Sequence, residues 1–197
     1  MALDPGTPYE LRDGSTVLIR PIDADDGAAL AAAFERLSAE SRYRRFFVPM
    51  ARLSSSTLAY LTRVDHHDHE ALVAVDPETR EGVGVARFVR LEDRAAAETA
   101  VTVADAWQGR GLGTLLLELL AARAREERIE RFTAVLLAHN DSMLDLLKRL
   151  GPTRLLDRAA GTVEIEAVLP ADGVGAHLGG LMRVAGEQTP PPEPAPS

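Results

Sequence analysis

Three glycines alternate through Gln108-Gly109-Arg110-Gly111-Leu112-Gly113-Thr114, directly before the clearest amphipathic run of the chain. Glycine reaches positive φ at no steric cost, so successive backbone N–H groups in such a loop can point into one concavity. The unpaired N–H groups of the following helix's first turn add about half a positive charge. Such a site binds a phosphate or pyrophosphate and needs no lysine. The loop lacks the Gly-Lys-Ser/Thr ending of a nucleoside-triphosphate loop. It also follows a late strand, whereas a dinucleotide fingerprint opens a parallel βαβ unit. A second cluster, Asp65-His66-His67-Asp68-His69-Glu70, has metal-ligating residue types. Adjacent residues rarely converge on one ion, so this run reads as a solvated loop entering a strand, with no metal expected.

Composition narrows the chemistry further. The chain has 197 residues with 22 Lys+Arg against 30 Asp+Glu, a net charge of −8, and no cysteine. The absence of cysteine excludes disulfides, thiolate metal sites and a cysteine acyl-enzyme. The acidic balance argues against a nucleic-acid partner, because backbone phosphates need a positive surface. Lys148 is the single lysine, which codon usage in a GC-rich genome explains. Met1 to Gly14 has no apolar core for a secretory signal, and Leu112 to Ala124 is too short to cross a bilayer. A cytoplasmic protein without membrane contact is expected.

The elements that must position the loop alternate between strand-like and helix-like segments. Thr16 to Arg20 reads as a first strand stopped by Pro21. Asp23 and Asp26 then cap an alanine-rich helix reaching Leu37. Short helices are expected over Ser38 to Arg45 and Ser55 to Arg63, and strands over Glu70 to Val75 and Val83 to Leu91. Glu98 to Val103 makes a fourth strand, with Glu98, Ala100 and Thr102 on one face and Val101 and Val103 on the other. Leu112, Leu115, Leu116 and Leu119 mark a helix over Leu112 to Arg128. Phe132 to Ala138 suits a buried strand, and Asn140 caps a helix stopped by Gly151. Arg154 to Leu156 and Thr162 to Val168 close a mixed α/β sandwich of six or seven strands. An N-terminal segment (1–15) thus precedes a domain over 16–170, followed by an appendage (171–187) and a proline-rich disordered tail (188–197).

This order of elements, with Gln-x-x-Gly-x-Gly between a strand and a long helix and with Asn140 spaced to Gly151, resembles the GCN5-related N-acetyltransferase (GNAT) family over roughly Val17 to Leu169. Within that family, Leu37-Ser38-Ala39-Glu40-Ser41-Arg42-Tyr43-Arg44-Arg45-Phe46-Phe47 and Ala97-Glu98-Thr99-Ala100-Val101 resemble the acetyltransferase domain of bacterial Pat-type protein lysine acetyltransferases. The resemblance implies a mixed, mostly antiparallel sheet flanked by helices and splayed between its fourth and fifth strands, where the pantetheine arm of acetyl-CoA lies. It implies that the glycine loop, Gln108 to Thr114, binds the pyrophosphate, with Asn140 and Ser142 contacting pantetheine or a water.

The implied reaction is acetyl transfer to a primary amine, a protein lysine by preference. A free lysine has a pKa of about 10.4, so a base must take its proton. Glu98 is the candidate base, and burial in an acceptor channel would raise its pKa toward a useful range. A backbone N–H near Val101 or Val103 would hold the oxyanion. With neither cysteine nor a Gly-x-Ser-x-Gly elbow, direct attack in a ternary complex is expected. The chain departs from the family at Leu147, where many members carry an acidic tyrosine, and at Gly151-Pro152, where an aromatic residue usually follows the glycine. Arg42, Arg44 and Arg45 suit a solvated helix face and contact with an acidic protein surface or a CoA phosphate equally. A small-molecule amine acetyltransferase and a non-catalytic acyl-CoA-binding module are the alternatives.

Overall fold

The computed structural model describes residues 6–170, so the expectations for 171–187 and 188–197 lie outside the described residues. Eight strands form one sheet: β1 (Thr7–Glu10), β2 (Thr16–Pro21), β3 (His69–Val75), β4 (Gly82–Arg90), β5 (Ala96–Val103), β6 (Arg131–Leu137), β7 (Thr153–Ala159) and β8 (Thr162–Val168). Their spatial order is β1-β2-β3-β4-β5-β6-β8-β7, and β5–β6 is the one parallel pair among them. The sheet has more strands than sequence reading placed, because Thr7–Glu10 pairs along β2. That segment holds only four residues, including Pro8, too few for a period-two pattern to register. Among the described residues, no helix is long and apolar enough to cross a membrane.

Five α-helices cover the two faces. α1 (Gly27–Arg36), α2 (Ala39–Phe46) and α3 (Ser55–Thr62) share one side, and α4 (Leu112–Glu126) and α5 (Asp141–Leu150) the other. Period-two alternation assigns the strand residues: Leu72 and Ala74 join the main core under α4, while Ala71 and Val73 face the smaller core under α1. α4 is buried more widely than a single stripe of leucines requires. Leu117 and Leu120 are also fully buried, because α5 packs against the side of α4 that the sheet leaves open. On α4, Arg123 reaches Glu127 at 3.1 Å, while Arg131, on β6, pairs with Asp93 and Glu166.

Two local devices lock these layers. Asp23 caps a 3-10 turn at Ala24–Asp26 that leads into α1, and Asp26 answers with a hydrogen bond from the Asp23 N–H at 2.7 Å. The Asp26 carboxylate is buried and takes two further bonds from Arg20, at 2.6 and 2.7 Å. Burial alone would raise its pKa, but these donors outweigh burial and hold it below the ordinary carboxylate value. Gly151 ends α5 in extended backbone, not in the left-handed form its stop role suggests. Its glycine is required by proximity: a Cβ there would lie 2.3 Å from the Val168 carbonyl oxygen.

Two outcomes follow from these contacts. Gly151→Ala should lose about 2 kcal/mol of stability in urea unfolding, since the obstructing atom is backbone and cannot swing aside. Asp26→Ala should cost about 3 kcal/mol at neutral pH by breaking a buried ion pair. A carboxyl whose folded pKa is depressed contributes fully above its unfolded value of about 3.9 and loses that contribution as pH falls through the folded value. The gap between wild type and Asp26→Ala should therefore close in unfolding curves taken below about pH 4.

Candidate active site

β5 and β6 pair only at Ala96–Arg131, Ala97–Phe132 and Glu98–Thr133. Beyond Glu98 each strand stays with its outer neighbour, β5 with β4 as far as Val103 and β6 with β8 as far as Leu137. The strands therefore splay apart. The Ala104 N–H donates to Val83 on the β4 side, and strand alternation turns the Val101 and Val103 N–H groups the opposite way, into the gap. Neither N–H has a ladder partner there. The gap opens into a cleft of about 420 Å³ between the two strands, the glycine loop and the start of α5.

Of the residues singled out by sequence, Glu98, Val101, Val103, Gln108, Gly109, Gly111, Gly113, Thr114, Asn140 and Ser142 all line this cleft. Arg110 and Leu112 do not. The Arg110 guanidinium lies over the Trp107 ring at 4.9 Å and pairs with Asp13 at 3.4 Å. The Leu112 side chain is fully buried in the main core, which leaves only its backbone to the loop. Gly109 and Gly111 adopt φ of 76° and 94°, the left-handed region that the loop's anion-binding shape requires. Gly113 is present for a different reason: a Cβ would sit 3.3 Å from Leu146 of α5.

Gln108 spends its side-chain N–H groups on the protein, donating to Val103 O at 3.1 Å and to Ser41 Oγ at 3.3 Å. Asp105, just upstream, accepts from Ser38 N, Ser38 Oγ and Ser41 Oγ at 2.8, 2.9 and 2.7 Å. These bonds tie the start of α2 to the loop, so the arginines of α2 are carried to the cleft wall. Burial opposes the Asp105 charge, but the Ser38 and Ser41 donors prevail and keep its pKa below the ordinary value. Asn140 caps α5 by accepting from the Met143 N–H at 3.3 Å.

The cleft is locally cationic, against the sign of the whole chain. Arg12, Arg44, Arg45 and Arg149 line it, with Glu98 and Asp145 as the opposing carboxylates. Arg44 and Arg45 thus face the cleft, and Arg44 Nε is buried with no hydrogen-bond partner. Arg12 comes from the segment before β2 and lies over Gly111. Nothing in its sequence neighbourhood marks it, because the contact is made only when β1 and β2 fold beside the loop. Glu98 is exposed in the cleft wall. The Asp65–Glu70 run forms a turn in which Asp65 accepts three backbone N–H bonds and His66 pairs with buried Glu70 at 2.8 Å.

Residues 30–151 match the Acetyltransferase (GNAT) family. The chain belongs to this family. Acetyltransferase Pat of Mycolicibacterium smegmatis is 34% identical over 73% of the chain, which spans 43% of that protein's length. Acetyltransferase PA5475 of Pseudomonas aeruginosa is 35% identical over 72% of the chain and 77% of its own length. The GNAT domain of S. lividans PAT superposes with a TM-score of 0.77 at 34% identity, over 86% of this chain and 99% of that one. The eight-stranded, mostly antiparallel sheet with its parallel β5–β6 pair is the GNAT fold.

Acetyl-CoA fits the groups present in this GNAT chain. The orphaned Arg44 Nε, the arginine-lined wall and the loop with two positive-φ glycines all favour an anionic co-substrate. At the position where many family members carry tyrosine, Leu147 is fully buried in the main core. The tyrosines among the described residues lie on β1, α2 and α3, and none is on α5. Gly111→Ala, which forces a side chain into left-handed backbone against Arg12, should reduce the rise in melting temperature produced by acetyl-CoA. Gly161→Ala, also at positive φ (85°) but in open space beside β8, should leave that rise unchanged.

Proposed function

We propose that this GNAT chain acetylates a primary amine, a protein lysine side chain, by direct attack in a ternary complex with acetyl-CoA. Acetyl-CoA is the co-substrate. The observation that carries the reading is the cleft itself, where Glu98 closes the last β5–β6 pair and two unpaired N–H groups follow on the same strand. Glu98, exposed at the cleft, takes the amine proton directly or through one water. The amine nitrogen bonds to the thioester carbonyl carbon, and the N–H of Val101 or Val103 meets the charge that develops on oxygen. The C–S bond then breaks. A thiol has a pKa of about 8.5, so CoA thiolate leaves without an obligatory acid, and water protonates it in place of the missing tyrosine.

Support for a lysine acceptor comes from the Pat-like stretches Leu37 to Phe47 and Ala97 to Val101, together with 34% identity to acetyltransferase Pat. The apolar position of Leu147 favours a second reading, a non-catalytic acyl-CoA-binding module. Glu98→Gln separates the two. Transfer to lysine peptides should fall about 100-fold or more, while stabilisation by acetyl-CoA persists. A wild-type protein that is stabilised by acetyl-CoA yet releases no CoA with any amine would overturn the enzyme reading.

A further inference from the structure

On the sheet face opposite α4, a second cavity of about 290 Å³ lies between α1, α2, α3 and strands β3 to β5. Its walls are largely apolar, with Phe34, Leu61, Val73 and Val85 among them. Four arginines reach it, Arg20, Arg45, Arg80 and Arg87, against one carboxylate, Asp26. Asp26 is already committed to Arg20 through two hydrogen bonds. Arg87 is 5% exposed and bonds only neutral groups, Leu61 O at 3.1 Å and His69 Nε2 at 3.2 Å. Burial first, and the neighbouring Arg45 charge second, lower the Arg87 pKa to about 10. Burial likewise lowers the Arg45 pKa, although Glu98 and Tyr60 lie near enough to favour its charge. Among the described residues, neither Arg45 nor Arg87 makes an ion pair, and the Arg45 guanidinium lies over the Phe46 ring at 4.9 Å.

Arg87 holds its positive charge in a low-dielectric wall without a counter-ion, which is costly, and an anion brought by a ligand relieves that cost. The same wall repels a free ammonium group. Arg45 and Thr102 line both this cavity and the cleft. The volume lies near the lower end of small-molecule pockets, and an apolar lining with a few convergent charged groups is how such pockets select a ligand.

We propose that this cavity binds a small apolar carboxylate, its carboxylate held by Arg45 and Arg87 and its body among the apolar side chains of α1, α3 and the sheet. The ligand is either the acceptor's own carboxylate end or a molecule that does not react. Binding needs no acetyl-CoA, so failure of this inference leaves the transferase reading standing, and the reverse also holds.

Isothermal titration calorimetry with three probes of one branched skeleton tests it: 4-methylpentanoate, L-leucine and 3-methylbutylamine. The two carboxylates should bind and the amine should not. Arg45→Gln, which removes no hydrogen bond, should weaken carboxylate binding about tenfold or more. Ala33→Leu, which fills the cavity from α1, should abolish binding without lowering the melting temperature. Equal binding of the amine, no carboxylate binding at millimolar concentration, or an unchanged affinity in Arg45→Gln would each overturn the proposal. With acetyl-CoA added, thiol release on leucine assigns the carboxylate to an amino-acid acceptor in place of the protein lysine proposed above. Binding without release assigns it to a non-reacting ligand, and either result keeps the carboxylate site.

Discussion

Everything at the cleft depends on where β5 and β6 stop pairing. Their ladder has three residue pairs and ends at Glu98–Thr133. Both strands continue because each has a full antiparallel neighbour on its outer side, so neither needs the other for hydrogen bonds on that edge. The inner edges are left with unpaired N–H groups, which a protein tolerates only where water or a ligand reaches them. A splayed pair inside a sheet is therefore an opening already equipped with donors. Glu98 stands at its origin, and the glycine loop closes its far end.

The glycine loop is held in place by a polar relay more than by apolar packing. Asp105 gathers Ser38 and Ser41 at the start of α2, and Gln108 bridges Ser41 to the Val103 carbonyl. Loop, strand and helix are thus fixed to one another at the point where β5 leaves the sheet. A residue named for contact with the co-substrate, Gln108, is spent on this relay, and the loop's outward-facing Arg110 clamps Trp107 and Asp13. What remains turned toward the cleft is mostly backbone, together with side chains supplied by α2, α5 and the segment before β2.

Charge distribution carries a similar lesson. The chain is acidic overall, at net −8, yet arginines outnumber carboxylates in the walls of both cavities. Net charge sets the field far from the molecule, and screening confines it to about 10 Å at ordinary salt. Within a cavity, the few groups in the wall decide. An acidic exterior can carry a cationic amine toward the protein, whereas at the cleft wall Glu98 stands beside the Arg45 guanidinium.

Much of the fold was legible in the amino-acid order, because local rules act over a few residues. The Asp23–Asp26 capping box, the alternation of Glu98 and Thr102 against Val101 and Val103, and the positive-φ glycines at 109 and 111 all appear in the structure where the pattern places them. The short first strand escaped that reading, since four residues with a proline carry too little periodicity. Only tertiary structure decided which side chains the loop can offer, that Arg12 and Arg45 enter the site, that Glu98 is exposed, and that Gly151 is demanded by the Val168 carbonyl. The physical reason is range. Dihedral preference, capping and periodicity are properties of neighbours in sequence, whereas burial, cavity charge and close approach arise from groups that meet only after the sheet and its helices assemble.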